Sequence, residues 1–261
     1  MIQQDIICSE EYLKNLKNNN VLKKIVYLKE KIPKDILLHF KNDCLKTTDS
    51  QDDTINKRDM FFLWKNFIND NHLPNVIYNN KFHQLLEEIV PFNEHYIKIK
   101  NEYLEIIKYI KKFWKESIEM GEEIDDELEV SEVLMLYYEW IKTKEIVLTN
   151  DKNITEDNLK YILEYYINDI EIVNDKCIKN VSCKLWNKDN DIRDAILNKF
   201  NIELTENISL MKAYMLYCDY SKNNDTSYTV SKIYFEKYIN KVIPSQFIKQ
   251  NMIQIDFWNQ A

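Results

Sequence analysis

The chain contains a single glycine, Gly121, among 261 residues, and only four prolines. Tight turns and left-handed backbone positions normally depend on glycine, and sheet-rich folds and α/β nucleotide-binding folds need many of them. The scarcity of glycine therefore favours helices joined by loops rich in Asn and Asp, which also tolerate turn geometry. It excludes the Walker A loop, the GxGxxG dinucleotide fingerprint and the kinase glycine-rich loop, because each needs more than one glycine.

Composition sets further bounds on what the chain does. Apolar residues make up 45% and aromatic residues 13% of the chain, which is enough for packed cores and argues against disorder. The formal net charge of −8 gives no global attraction to nucleic acid and leaves only a local basic face as a candidate. The five cysteines form no CxxC pair, so reduced thiols of an intracellular protein are predicted.

The first 55 residues are predicted to form an N-terminal helical segment followed by a linker. Pro33 fits the first turn of a helix that continues from Lys34 to Cys44. The stretch 47–54 is the most polar uninterrupted run and is the predicted linker. The N-terminus lacks the basic-then-apolar order of a signal peptide, and no run of 18 apolar residues predicts a membrane-spanning helix.

Three later segments align without gaps: 62–68, 135–141 and 215–221. Each has a leucine, then an aromatic residue, and a second aromatic residue three positions later, so both rings lie on one helix face. A polar loop and a second apolar helix follow each segment. The matching residues of the second helices are Phe82, Leu85 and Leu86; Leu159, Ile162 and Leu163; and Phe235, Tyr238 and Ile239.

A strand-forming element follows each helix pair. Alternating or β-branched residues predict strands at 96–100, at 170–173 with 177–183, and at 247–249 with 252–258. Asn174-Asp175-Lys176 and Gln250-Asn251 are the predicted hairpin turns. Between the repeats, a long amphipathic helix is predicted at 101–120, an acidic linker at 121–127 and a short helix at 193–200.

The order helix, loop, helix and β-hairpin is that of a winged-helix domain. The pattern resembles the winged-helix modules in the tails of helicase-primase proteins of large DNA viruses, and related proteins of those viruses. The resemblance spans about residues 59–258. The residues that carry it are Val130-Ser131-Glu132 with Tyr137 and Trp140; 177–186; 230–239; and Tyr103-Leu104 with Phe113-Trp114. No ATPase or primase motif accompanies it, so the resemblance implies no enzymatic activity.

The predicted fold is mainly α with small β-hairpins, in the α+β class, with three winged-helix-like repeats after the N-terminal segment. The predicted divisions are 1–55 for the helical segment and linker, 56–122 for the first repeat with its bridging helix, 123–200 for the second repeat and 201–261 for the third.

The nucleic-acid-binding candidates lie in the third repeat, because winged helices contact DNA through basic residues on the second helix. They are Lys232, Lys237, Lys241 and, in the hairpin, Lys249. A solvated helix face is the alternative interpretation for each lysine. The second repeat instead carries Glu156, Asp157, Glu164 and Asp169, which would repel phosphate, and the first mixes Lys81 and His83 with Glu87 and Glu88.

Other candidate sites are weaker. His72, His83 and His95 match no metal-binding spacing, and Cys177 and Cys183 are expected to pack rather than to bind a metal. No nucleophile with a neighbouring base is found, and no cofactor is expected. Trp64, Trp114, Trp140 and Trp186 are predicted to be core residues rather than base-stacking platforms. The carboxylates of Asp52-Asp53 and Asp125-Asp126-Glu127 are predicted to be solvated in linkers.

The sequence therefore predicts a non-catalytic viral adaptor that binds protein partners in a nucleic-acid-handling complex. In that interpretation the third repeat touches DNA or RNA, no membrane is involved, and the location is the host cytoplasm, including a viral factory. The alternative is a structural or assembly protein without nucleic-acid contact. An enzyme with an unfamiliar helical site is a third class, which would need clustered polar residues in a deep pocket, a feature that a sequence does not show.

Overall fold

The computed structural model describes residues 31–75, 77–122, 126–147, 154–200, 206–223 and 228–258. These residues form helices with small antiparallel sheets of two or three strands, which agrees with the predicted α+β class at that level. The helix predicted before residue 31 lies outside the described residues. Among the residues that are described, no helix is both long and apolar enough to cross a bilayer.

The elements of the N-terminal half run from a predicted helix into the first sheet. They are α1 (Pro33–Cys44), β1 (Lys46–Thr47), β2 (Thr54–Ile55), α2 (Lys57–Asp70), α3 (Asn79–Leu86), β3 (Phe92–Asn93), β4 (His95–Ile97), β5 (Ile99–Lys100), α4 (Glu102–Ser117) and β6 (Ile118–Met120). Pro33 occupies the first turn of α1, as predicted.

The elements of the C-terminal half repeat the alternation of helix pairs and short strands. They are β7 (Glu127–Glu129), α5 (Val130–Thr143), α6 (Glu156–Tyr166), β8 (Ile172–Val173), β9 (Cys177–Lys179), β10 (Val181–Cys183), α7 (Lys188–Ala195), a π-helix (Ile196–Phe200), β11 (Ile208–Ser209), α8 (Leu210–Asn223), α9 (Lys232–Val242), a 3₁₀ turn (Ser245–Phe247), β12 (Ile248–Lys249), β13 (Met252–Ile253) and α10 (Ile255–Trp258).

Three of the sheets have the same topology. In each, a first strand is followed by two helices and a two-stranded hairpin. The first strand pairs with the second strand of the hairpin, which gives the strand orders β2-β4-β3, β7-β9-β8 and β11-β13-β12. The register is also the same. In each sheet one residue of the central strand pairs with one residue on either side. Written in the order across the sheet, the three sets are Ile55, Tyr96 and Phe92; Leu128, Ile178 and Ile172; and Ile208, Ile253 and Ile248. A strand–helix–helix–hairpin segment thus occurs three times in the described residues.

Equivalent helix positions in the first and third repeats carry equivalent ring packing. Trp64 stacks on Phe82 with ring centroids 5.1 Å apart and 27° between the planes. Tyr217 stacks on Phe235 at 5.4 Å and 26°, at the same two positions of the third repeat. The aligned leucines are less uniform, because Leu63 and Leu136 are buried whereas Leu216 is only partly buried.

The chain divides into two compact units. Compact unit 1 consists of the described residues up to Trp114 together with Val130–Ile170, and compact unit 2 consists of Lys115–Glu129 together with the described residues from Glu171 onward. The first repeat belongs to compact unit 1 and the third to compact unit 2. The second repeat contributes its helices to compact unit 1 and its strands to compact unit 2.

Aromatic side chains form the core of compact unit 1. The Phe40 ring packs edge-on against Trp64 at 5.5 Å, and Trp64 in turn stacks on Phe82. All three side chains are buried.

The four tryptophans predicted to be core residues are confirmed as buried: Trp64, Trp114, Trp140 and Trp186.

Residues other than glycine fill the left-handed backbone positions. The predicted hairpin turns are present, with φ of 52° and 59° at Asn174 and Asp175 and of 50° and 60° at Gln250 and Asn251. Gly121 has no positive φ, and a Cβ added to it would meet nothing within 4 Å. Asn, Asp and other polar residues therefore adopt the left-handed backbone conformation that glycine usually adopts at such turns.

Two helices of compact unit 1 end on a left-handed residue where glycine is usual. His72, after α2, has φ 51°, and the following amide of Leu73 donates to the Ile68 carbonyl at 2.8 Å. Glu145, after α5, has φ 52°, and the amide of Ile146 donates to the Ile141 carbonyl at 3.1 Å. These are C-terminal caps of the Schellman type, in which a side chain at the left-handed residue is sterically costly.

Glu145→Gly is therefore expected to raise the free energy of unfolding by about 1 kcal/mol, because glycine occupies the left-handed region without that cost. Urea unfolding followed by circular dichroism measures the change. The control is Glu139→Gly inside α5, where glycine is expected to lower stability by about 1 kcal/mol. Equal destabilisation by the two substitutions would contradict the proposed strain at Glu145.

Several predicted boundaries were wrong in instructive ways. The strand predicted at 96–100 is two strands, because Lys98 has φ 57° and breaks the ladder. The long helix ends at Ser117, since Ile118–Met120 pairs with β10 instead. The short helix predicted at 193–200 begins at Lys188 and finishes as a π-helix.

Candidate functional site

Helix α9 of the third repeat has two unlike faces. Its N-terminus is capped by Ser231, whose hydroxyl accepts a hydrogen bond from the Tyr234 amide at 3.3 Å. The side chains of Tyr234, Phe235, Tyr238 and Ile239 recur at helical spacing and are buried. The opposite half of the helix is consequently left facing solvent.

The exposed half of α9 carries three of the four predicted binding lysines. Lys232, Lys237 and Lys241 are exposed there, and Ile233, which is 76% exposed, lies among them. The fourth, Lys249, is exposed on β12 in the hairpin of the same repeat. The structure thus exposes all four candidates: Lys237 lies beside Ile233 on the exposed half of α9, Lys232 and Lys241 lie at the two edges of that half, and Lys249 lies on the hairpin of the same repeat. We call Lys232, Lys237 and Lys241 with Lys249 the lysine face.

Carboxylates partly neutralise the lysine face. The Lys232 ammonium lies 3.5 Å from the Glu236 carboxylate one helical turn away. The Lys237 ammonium lies 3.7 Å from the carboxylate of Glu127, which also pairs with Lys179. The Lys232–Glu236 pair is exposed and therefore weak, so phosphate can compete for Lys232. Glu127 is largely buried, but it keeps its pair with Lys179 when Lys237 turns to a phosphate.

A buried lysine lies beneath α9. Lys188, at the start of α7, is 2% exposed, and its ammonium donates to the Glu127 carbonyl at 2.8 Å. The same nitrogen is 3.7 Å from the centroid of the Tyr234 ring and 5.7 Å from that of Trp186. Cation–π contacts and the carbonyl together compensate for the lost hydration of the charge.

Two carboxylates share one hydroxyl next to this lysine. The Tyr234 hydroxyl is 2.9 Å from a carboxylate oxygen of Asp126 and 2.9 Å from one of Asp189. A hydroxyl has one hydrogen and can donate to only one of them at a time. Burial raises the pKa of Asp126, and the negative charge of Asp189 raises it further. The hydrogen bond from Tyr234 and the positive charge of Lys188 lower the same pKa. We call Asp126, Glu127, Lys188, Asp189 and Tyr234 the buried polar cluster.

The prediction of solvated carboxylates at 125–127 was wrong for the two that the structure describes. Asp126 is partly buried, and Glu127 is 9% exposed within β7, paired with lysines. The alternation Glu127-Leu128-Glu129 was a signal for a strand here, since Leu128 alone among the three points into the core at 0% exposure. Nothing in the sequence distinguished Lys188 from a surface lysine.

The other candidate residues are dispersed. His83 accepts or donates a hydrogen bond at 2.8 Å with the Tyr96 hydroxyl, whereas His72 caps a helix and His95 lies on β4. Burial raises the pKa of Cys183 and so favours its protonated thiol. Within the described ranges, no group of three or more His, Cys, Asp or Glu side chains is arranged to hold a metal ion.

The second helices of the three repeats differ in charge. Those of the second and third repeats are α6 and α9. On α6 the exposed residues include Glu156, Asp157 and Glu164, and Glu156 occupies the position of Lys232 in α9. The lysine face is therefore a property of the third repeat and not of the shared topology. Chemically it offers ammonium groups for an anionic backbone.

Comparison of the chain with protein-family models, with curated proteins and with solved structures finds no match. The lysine face on the exposed half of α9, with the buried polar cluster beneath that helix, is therefore the candidate functional site.

Proposed function

We propose that the chain is a non-catalytic adaptor of three winged-helix-like repeats, whose third repeat contacts the phosphate backbone of DNA or RNA. The threefold strand–helix–helix–hairpin topology with a common strand order supports the winged-helix assignment. The observation that carries the nucleic-acid role is the lysine face on the exposed half of α9, the helix that winged-helix proteins use for contact.

Charge distribution supports the third repeat over the other two. Residues 230–261 contain four lysines against Glu236 and Asp256, within a chain of net charge −8. A local basic face on an acidic protein gives weak, salt-sensitive and orientation-specific binding, because the remaining surface repels the backbone. The exposed Ile233 among the lysines adds an apolar contact for a base or a protein partner.

The other repeats serve protein partners in this proposal. The acidic exposed face of α6 suits a basic protein surface and disfavours nucleic acid. The competing function is a structural or assembly protein that contacts proteins alone. Binding to oligonucleotides and its dependence on salt separate the two functions.

Replacing the lysines of α9 in the variant Lys232→Glu, Lys237→Gln, Lys241→Glu is expected to abolish most oligonucleotide binding. Glutamine is chosen at Lys237 so that no new carboxylate faces Glu127. Fluorescence anisotropy with single-stranded and duplex DNA and RNA measures the affinity at several salt concentrations. The slope of log affinity against log salt should become shallower by about 1 for each lysine that contacts a phosphate.

The matched control is Lys142→Glu, Lys176→Gln, Lys222→Glu, which changes the formal charge equally at exposed lysines that belong to neither α9 nor its hairpin. This control should keep most of the affinity. Equal affinity of the α9 variant and the unmodified protein, or no binding by the unmodified protein at low salt, would leave the structural or assembly role as the better proposal.

A further inference from the structure

A groove lies on the first repeat, within compact unit 1. It has a volume of about 600 Å³ and runs along the exposed side of α3 and the first turn of α2, with Tyr165 of α6 forming another wall. Cavities of this size are typical of small-molecule and cofactor sites.

The groove is rich in hydrogen-bond donors. Lys57 and Arg58 of α2 line it, and Asn80 and Gln84 present side-chain amides from α3. One guanidinium nitrogen of Arg58 donates to the Tyr165 carbonyl at 2.7 Å, which fixes the side chain while other N–H groups stay available. A preorganised guanidinium with a nearby ammonium is a typical arrangement for binding phosphate.

His83 adds a neutral donor to this wall. Burial and the Lys57 charge lower the pKa of His83, so the imidazole is neutral at pH 7. Burial raises the pKa of Tyr96, so its hydroxyl keeps its hydrogen and can donate to Nδ1 of His83 at 2.8 Å. In that tautomer Nε2 carries the hydrogen and can donate to a ligand.

Aromatic rings border the donors. Phe61 and Tyr165 line the groove, and the Lys65 ammonium lies 5.4 Å from each of their ring centroids. The Arg58 guanidinium is 5.6 Å from the Tyr165 ring. These cations lie over the ring faces, so the rings form an apolar border of the groove, and a base that stacked on Tyr165 would have to displace one of the cations.

One carboxylate opposes an anion in this groove. Glu87 lines it and pairs with Lys57 at 2.8 Å. A phosphate would have to take Lys57 from Glu87, so the groove binds such a ligand less tightly than its cations alone would allow. Removing the Glu87 charge should therefore strengthen binding, a result that a purely structural ion pair does not predict.

We propose that this groove binds a nucleotide, with its phosphate at Lys57 and Arg58 of α2 and its base against the side-chain amides of α3. The nucleotide is a free one or the terminal one of a single strand. This inference goes beyond the proposed function, because it places a nucleotide site on the first repeat, outside the lysine face.

Titration calorimetry with adenosine monophosphate, inorganic phosphate and a 5′-phosphorylated single-stranded oligonucleotide tests the proposal. Arg58→Gln should weaken nucleotide binding about tenfold or more, as expected for loss of a charge-assisted bond. Glu87→Gln should tighten it about threefold to tenfold by freeing Lys57. Tighter binding of the monophosphate or of the strand identifies which source the groove takes, and each of these supports the site.

The control is Glu88→Gln, which removes an adjacent exposed carboxylate that pairs with Lys34 and does not line the groove. It should leave the affinity unchanged. Inorganic phosphate binding as tightly as the nucleotide, or no effect of Arg58→Gln and Glu87→Gln in folded protein, would overturn the proposal. Because the α9 variant leaves the groove intact, loss of the lysine-face function and loss of the groove can be told apart with the monophosphate.

Discussion

Lys188→Ala is expected to lower the free energy of unfolding by about 3–5 kcal/mol, the cost of removing one partner from a buried charge network. The side chain is 2% exposed, and its ammonium contacts the Glu127 carbonyl and the Tyr234 ring. Its removal leaves a cavity, an unsatisfied carbonyl, and Asp126 and Asp189 without the nearby cation. Urea or thermal unfolding measured at pH 7 gives the change.

Lys188→Met separates the charge from the volume of the side chain. Methionine fills much of the same space, so a loss of about 1–3 kcal/mol is expected from the charge and hydrogen bond alone. Adding Asp126→Asn should recover part of that loss, because the neutral amide no longer needs the cation. A double-mutant cycle of the two substitutions measures this coupling.

The pH dependence of Lys188→Met has a definite sign. Lys188 lowers the pKa of Asp126 against the larger effect of burial, so its loss raises that pKa further. When the pKa of a carboxyl is higher in the folded than in the unfolded state, the free energy of unfolding of the protein falls as the pH rises from the unfolded-state pKa through the folded-state pKa. The variant should therefore be closest to the unmodified protein in acid and furthest from it at neutral pH.

The control for this series is Lys184→Ala, which changes an exposed lysine whose ammonium lies 3.4 Å from the Glu119 carboxylate. An exposed ion pair of this kind contributes about 0–1 kcal/mol. If Lys188→Ala cost no more than this control, the buried polar cluster would not hold α9 and β7 in place, and the lysine face would lack its rigid support.

The periodicity of apolar residues predicted the helices and the order of the elements, because the buried face of each helix requires apolar residues at helical spacing. The apolar residues Phe82 and Phe235 mark equivalent positions, and their rings stack on Trp64 and Tyr217 in nearly the same geometry. Short strands were harder to place, since two or three residues hold too little alternation to fix a boundary. Lys98 could interrupt a strand unnoticed, because a lysine in the left-handed region has no sequence signature.

The candidate sites were predictable only where exposure decides them. Helical spacing predicts that Lys237, beside Ile233, faces outward from the buried stripe of α9. It does not do so for Lys232 and Lys241, which lie seven residues from buried Ile239 and Tyr234 and therefore at the edges of that stripe, so the structure was needed to show their exposure. The buried polar cluster could not be predicted, because Asp126, Lys188 and Tyr234 are far apart in the chain and meet only through tertiary packing. The groove on the first repeat likewise depends on Tyr165, which comes from another repeat.

Tyr217→Phe is expected to lower the free energy of unfolding by about 2–3 kcal/mol, because a buried donor and a carboxylate each lose a hydrogen bond. The Tyr217 hydroxyl donates to Asp191 at 2.7 Å and accepts from the Val230 amide at 3.0 Å. Val230 directly precedes the N-cap of α9, so the hydroxyl ties the loop before that helix to α8. Denaturant unfolding measures the loss, and anisotropy tests whether the lysine face weakens with it.

Tyr137→Phe at the equivalent position of the second repeat is the matched control. Among the residues that the structure describes, the buried Tyr137 hydroxyl has no hydrogen-bond partner, so its removal should be neutral or stabilising by up to about 1 kcal/mol.

The Tyr217 hydrogen bond also lowers the pKa of Asp191 against the rise that burial causes. The cost of Tyr217→Phe should therefore be greater at neutral pH than in acid, where Asp191 is protonated in both states. Similar losses in the two variants, or a pH-independent cost at Tyr217, would contradict this assignment and imply that ring packing alone sets the stability at both positions.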